Sequence, residues 1–327
     1  MTPGARNQIT DVPGLRIGSV HDERLRSGVT VVLGDRPLRG AVDIRGGGPG
    51  TRDTHALMPE GVASEVHGVV FSGGSAFGLD AATGAQAWLR ERGEGFAVGP
   101  ARVPIVPQAI LFDLLNGGDK DWGRFPPYRD MAYAACESAD ENMALGSAGA
   151  GYGATTQRLK GGLGSASAVT EDGITLGALA AVNAAGNVTL GESRHFWAAP
   201  FEIGGEFGGH GWPQTMPADA LEPRTKAAAR ADANTTLAVV ATDADLDKLA
   251  LKRLAIMAQT GLSRSIYPVH TPFDGDIVFA LSTARGQAVE PIFALAELGA
   301  LASCVLARAV ARAVFEAAAF AGGDGPP

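Results

Sequence analysis

Charge and cysteine are what this sequence has least of. Only 19% of its 327 residues are charged, against 46% hydrophobic, which excludes a chain too polar to fold. The net charge is −8 and no basic block occurs, so nucleic acid and anionic membranes are not expected partners. Two cysteines, Cys136 and Cys304, sit in apolar, alanine-rich surroundings. That context suits buried small side chains in a reducing compartment and argues against a disulfide or a catalytic thiol. Residues 1–14 hold no apolar stretch of the kind a secretory signal carries. The six histidines show no paired spacing, so no metal site is expected. The glycine-rich stretches 46–50 and 72–75 lack the Lys-Ser/Thr ending of a phosphate loop. A G-x-G-x-x-A match at 149–154 follows a polar stretch instead of a strand, which argues against a dinucleotide fingerprint. The apolar stretch near the C-terminus is broken by Glu297, Arg308 and Arg312 and reads as a core helix, not a membrane span. A cytoplasmic protein is expected.

Glycine is abundant, at 45 residues, and apolar runs recur. Runs at 29–33, 66–71, 103–106, 109–112, 176–183, 237–242 and 277–281 are nearly continuous, which suits strands covered on both faces. Helical patterns fall at 77–91, 128–142 and 245–260, the last ended by Gly261, and over 292–320 with a bend expected at Gly299. The order of strands and helices predicts a layered α/β (α+β) fold, and the length suits one large domain or two interlocked halves. Residues 210–234 differ: three prolines and scattered charges among alanines read as an exposed, mobile linker. That linker runs through Asn234-Thr235-Thr236 directly into the strand 237–242. Taken by itself, the junction is also compatible with an ordinary loop-to-strand boundary.

Several segments occur together in order. They are 234–243 (Asn-Thr-Thr-Leu-Ala-Val-Val-Ala-Thr-Asp), 11–18, 46–53, 72–80, 146–151, 160–167 and 270–276. In this the chain resembles the L-aminopeptidase/D-esterase family, which also contains β-peptidyl aminopeptidases and nylon-oligomer hydrolases. The likeness spans nearly the whole chain. It implies a four-layer αββα sandwich of the N-terminal-nucleophile type. It also implies self-cleavage between Asn234 and Thr235 into pieces 1–234 and 235–327, assembled as a tetramer of processed protomers. No cofactor is implied, and the expected partner is a small peptide or amide substrate.

The chemistry explains why a chain would cut itself. A threonine hydroxyl is a weak nucleophile until a base takes its proton. Cleavage before Thr235 frees an α-amino group whose ordinary pKa, about 7.7–8.0, makes it a usable base near neutrality. The family register favours Thr235 over Thr236, which is expected to point to the opposite strand face. By resemblance, Asp274 and Asp276 orient the Thr235 amino group and hydroxyl; without it, Asp274-Gly275-Asp276 reads as a turn entering a strand. Asn183 matches the family's active-site asparagine, whose amide can donate to an oxyanion; alternatively it is a turn residue. A backbone N–H from a glycine-rich segment is a candidate second donor. Members often carry lysine where this chain has Arg158, and some carry tyrosine where it has Phe112. Arg158 retains charge without easy proton transfer, Phe112 has no hydroxyl to donate, and Lys160 lies two residues beyond Arg158. An acyltransferase using the same threonine and an uncleaved scaffold are the competing functions.

Overall fold

A computed structural model of the chain describes residues 1–226, 234–288 and 292–320. The first half holds β1 (Leu15–Asp22), β2 (Ser27–Gly34), β3 (Leu38–Ile44), β4 (Gly50–Arg52), β5 (Glu65–Val66), β6 (Val69–Ser72) and α1 (Ala81–Glu91). A hairpin of β7 (Phe96–Val98) and β8 (Ala101–Val103) follows, then β9 (Gln108–Ile110) and α2 (Tyr128–Glu137). The second half holds β10 (Gly162–Val169), β11 (Thr175–Asn183), β12 (Thr235–Thr242), α3 (Lys248–Ser263), β13 (Ile277–Ser282) and α4 (Ile292–Phe320).

Two sheets stack face to face. One has the order β1-β2-β6-β9-β4 and the other β10-β11-β12-β13-β3-β5. Apolar residues of α1 and α2 cover the outer face of the first sheet, and those of α3 and α4 cover the second. A third apolar cluster fills the layer between the sheets. The fold is therefore the expected αββα sandwich. Alternation along β12 shows how one strand serves two cores. Leu237, Val239 and Ala241 enter the layer between the sheets, while Ala238 and Val240 face the helices. A strand buried on both faces has no polar side to alternate with, hence its unbroken apolar run.

β10 was not among the expected strands, because it is built from glycine, serine and alanine instead of β-branched residues. The reason is α4. A Cβ at Gly162 or Gly164 would run into the α4 backbone at Ala313 and Ala309. Small residues let the helix lie against the sheet at backbone contact. The same logic corrects one expected helix end. Gly261 does not end α3, which continues to Ser263; a Cβ there would lie 2.5 Å from the Ser303 carbonyl of α4. Gly299 lies inside α4 and gives room to the Met257 side chain of α3. At its start α3 is capped by Asp247, whose carboxylate accepts the Ala250 N–H at 2.8 Å.

The stretch Ile292–Ala317 is long and apolar enough to cross a bilayer by length and composition. In the fold it carries Arg308 inward, fully buried. Arg308 pairs with Glu206 and donates to the Ser167 carbonyl and Asn7 Oδ1, both at 2.8 Å. Burial pushes the Glu206 carboxyl up, but the arginines outweigh it and hold the group below its ordinary value. Arg312 donates to the Asn7 and Ser165 carbonyl oxygens as well, so the two arginines together tie α4 to the N-terminal segment and β10.

Candidate active site

The layer between the sheets opens at the end where β12 begins. Asn183, last residue of β11, stands directly opposite Thr235, first residue of β12. By strand parity both belong to the face that carries Leu179, Ala181, Leu237 and Val239 into that layer. Thr236 falls on the helix side, as expected. β13 runs parallel to β12, so the loop before it, 271–276, lies beside Asn234 and Thr235; a bridge joins Asn234 to Asp274.

All these groups are buried: Asn234 is 0% exposed, Thr235 3%, Asp274 and Asp276 1% each. The Thr235 Oγ1 donates to the Asn234 carbonyl oxygen at 2.5 Å. The same oxygen accepts the Gly275 N–H at 2.6 Å. A nucleophile-type hydroxyl and a backbone donor thus converge on one carbonyl, that of the Asn234–Thr235 peptide bond. A Cβ at 275 would stand 2.6 Å from Thr235 Oγ1, so any larger residue there must displace the hydroxyl or the turn.

The two carboxylates act on backbone. Asp276 Oδ1 accepts the Thr236 N–H at 2.7 Å, and its Oδ2 accepts the His270 N–H at 3.1 Å with His270 Nδ1 2.9 Å away. Asp274 accepts the Thr271 N–H at 2.8 Å and the Ala185 N–H at 3.2 Å. Burial, then the neighbouring Asp276 charge, raise the Asp274 carboxyl above its usual range. The glycine stretch 46–48 supports this loop from below: Gly46 N–H reaches the Asp276 carbonyl at 3.2 Å and Gly48 N–H the Asp274 carbonyl at 2.8 Å. A Cβ at Gly46 would collide with the backbone of Asp274 and Asp276.

Asn183 is engaged on both ends of its amide. Its Nδ2 donates to the Phe112 carbonyl at 2.9 Å and its Oδ1 accepts the Thr155 N–H at 3.0 Å. Phe112 therefore meets the site through its backbone. A cleft of about 190 Å³ is lined by Phe112, Asp113, Thr155, Asn183, Lys226 and Asn234. A neighbouring cleft shares Thr155 and Gly153 with it and holds Lys160, whose ammonium is lowered by burial and by Arg26. Arg158 is not brought to Thr235. It lines a separate pocket with Asn187, Trp197 and Tyr267, and its Nε and Nη2 have no hydrogen-bond partner among the described residues.

Three contributors escaped the sequence reading: the Gly275 amide, Thr155 and Lys226. The glycine between two aspartates was the one visible signal for the first. Lys226 fell inside the expected linker 210–234. The described part of that stretch is docked on the body, with Lys226 N–H on the Ala185 carbonyl at 3.1 Å and Glu192 N–H on Asp219 at 2.9 Å. Residues 227–233 lie outside the described residues.

Residues 7–326 match the sequence pattern of peptidase family S58. An uncharacterized aminopeptidase of Mycobacterium tuberculosis (strain H37Rv) is 42% identical, covering 97% of this chain and 96% of its own length. A 6-aminohexanoate-oligomer endohydrolase of Kocuria sp. is 28% identical over 84% of this chain and 74% of its own length. Among solved structures, the L-aminopeptidase D-Ala-esterase/amidase of Ochrobactrum anthropi, described as a variant of the Ntn hydrolase fold, superposes with a TM-score of 0.70. That match is 25% identical and covers 97% of this chain and 88% of the other.

Proposed function

Because the chain belongs to peptidase family S58 and is an N-terminal-nucleophile peptidase or amidohydrolase, we propose that it matures by cutting its own Asn234–Thr235 bond. Thr235 then hydrolyses small peptides or ω-amino amides through an acyl-threonine. The observation that carries this reading is the meeting of Thr235 Oγ1 and the Gly275 N–H on the buried Asn234 carbonyl.

In the uncleaved chain Thr235 Oγ1 attacks the Asn234 carbonyl carbon. The carbonyl oxygen gains negative charge against the Gly275 N–H, which already lies at hydrogen-bond distance and needs no rearrangement. The C–N bond breaks, the leaving nitrogen takes up the hydroxyl proton, and an ester joins Asn234 to Thr235 Oγ1. Water hydrolyses the ester. The products are a carboxylate at Asn234 and a free α-amino group on Thr235. Asp276, holding the Thr236 N–H, keeps the start of β12 in place throughout. The pieces 1–234 and 235–327 remain together because β12 is hydrogen-bonded to β11 and β13 to β3, two ladders that join one piece to the other.

In the mature enzyme the new amine accepts the Thr235 hydroxyl proton, and the oxygen attacks a substrate carbonyl lodged where Asn234 had been. The relatives' names support amide and aminopeptide substrates. N-terminal sequencing of the small piece is expected to read Thr-Thr-Leu-Ala-Val. Mass spectrometry is expected to find fragments of about 24 and 9.5 kDa from the 33.4 kDa chain. An active enzyme that remains one unbroken polypeptide would overturn the mechanism.

A further inference from the structure

Lys226 stands eight residues before the Asn234–Thr235 bond, yet its side chain reaches the cleft. Its Nζ lies 2.7 Å from the Thr155 carbonyl oxygen and 3.2 Å from Thr155 Oγ1. It lies 3.3 Å from the Asn183 carbonyl oxygen and 3.2 Å from Asn183 Oδ1. These four oxygens are uncharged. An ammonium has three N–H donors and no acceptor, and such a cluster satisfies it. A quaternary amine has no N–H to offer there, and a planar guanidinium does not match a compact point-charge site.

The position of the lysine matters as much as its contacts. In self-cleavage everything up to Asn234 is the acyl part of the reaction. Lys226 and Asn234 line the same cleft of about 190 Å³. They fill, in the uncleaved chain, the side of the cleft that the acyl part of an external substrate must take. Asn183, which supplies two of the four oxygens, is the strand partner of Thr235.

We propose that the Thr155–Asn183 oxygen cluster is a subsite for a primary ammonium group on the acyl part of the substrate, occupied in the uncleaved chain by Lys226 as a tethered stand-in. This rests on Thr235 being the nucleophile. Cleavage frees the segment that follows Lys226 from its attachment at residue 235, and an external amine then competes for the cluster.

The test separates the subsite from the chemistry by measuring binding in a Thr235→Ala background, where no cleavage is needed. With Lys226 present, n-butylammonium should leave the melting temperature where tetramethylammonium at equal ionic strength leaves it. With Lys226→Met added, n-butylammonium at about ten times its Kd should raise Tm by roughly 2 °C, and tetramethylammonium should not. Adding Thr155→Val should shrink that shift. Lys226→Gln serves as the second variant if Lys226→Met does not melt cooperatively. Equal responses to the two cations in both Lys226 variants would overturn the subsite. The substrate role is read on cleaved enzyme, where Thr155→Val should raise KM at least threefold more for β-alanyl than for propionyl p-nitroanilide. A chain that binds n-butylammonium in the Lys226 variants but never cuts itself would overturn that role and leave the cation site standing.

Discussion

At its carboxyl end β12 finishes in Thr242, with Asp243 next; at its amino end it starts from Thr235 beside Asp274 and Asp276. Both ends are buried, and both combine a threonine hydroxyl with a carboxyl raised above its usual range by burial. At the carboxyl end every group closes a loop. Thr242 Oγ1 donates to the Thr175 carbonyl at 2.9 Å and accepts the Ala244 N–H at 3.2 Å, and Asp243 accepts the Thr175 N–H at 2.8 Å. At the amino end the hydroxyl is aimed at the carbonyl of its own peptide bond, a second donor lies on that carbonyl, and a cleft opens beside it. The difference teaches that a buried Thr/Asp pair with a shifted carboxyl is not in itself a site. Convergence on one reactive atom is what distinguishes the amino end.

The sharpest way to break the comparison is to remove each hydroxyl while keeping its shape. Thr235→Val should abolish self-cleavage and turnover, leaving one unbroken chain on a denaturing gel. Thr242→Val should cleave normally and lose about 1 kcal/mol of stability, because it strands the Ala244 N–H while the Thr175 carbonyl keeps the Asp243 N–H. Cleavage in the first variant, or its loss in a folded second one, would erase the distinction. Next in size is Gly275→Ala. Its Cβ would press on Thr235 Oγ1 and displace the amide donor from the Asn234 carbonyl. Self-cleavage followed by mass spectrometry should slow on the order of a hundredfold, the usual cost of losing one oxyanion donor.

How much of this was readable in advance follows from what each residue shows in one dimension. β12 was legible because both its faces are apolar. β10 was not, because α4 demands small residues at Gly162 and Gly164, and smallness carries no strand signal. The Asn-Thr-Thr junction and the Asp-Gly-Asp turn were visible through resemblance to known motifs. The Gly275 donor was not, since a backbone amide has no letter of its own. Lys226 was read as linker because its Nζ partners lie 43 and 71 residues away and half of them are main-chain oxygens. Arg158 was grouped with the site by register, but the fold turns its side chain into another pocket.

The two raised carboxyls offer a comparison by pH. Asp243 is raised by burial, so the folded state holds its proton more tightly than the unfolded chain does. Its contribution to stability is fully present below the unfolded pKa and is lost as pH rises through the folded value. Asp243→Asn should remove that fall from the stability–pH curve and leave the pH dependence of cleavage unchanged. Asp274 is raised by burial and by Asp276, and its carboxylate holds the turn that presents the Gly275 amide. Protonating Asp274 in acid loosens that turn, so self-cleavage should show an acid limb above the ordinary carboxylate range. In Asp276→Asn the neighbouring charge is gone and the Asp274 pKa drops. Cleavage, though slower, should then keep its relative rate to lower pH. A limb that stays in place in Asp276→Asn would detach Asp274 from the reaction.

The smallest effect is expected one residue from the largest. Thr236 follows Thr235 on β12 but faces the helices, and its Oγ1 is buried without a hydrogen-bond partner among the described residues. Its N–H, by contrast, is held by Asp276. The side chain and the backbone of this residue therefore have separable roles. Thr236→Val keeps the shape and the N–H and removes only the stranded hydroxyl. A buried hydroxyl with no partner carries its desolvation cost uncompensated, so the variant should be more stable by up to about 1 kcal/mol in urea unfolding of the Thr235→Ala chain. Self-cleavage in the Thr235 background should proceed at the parent rate. A marked loss of cleavage in Thr236→Val would mean that the second hydroxyl shares the work, and that the strand face does not sort the two threonines as the geometry indicates.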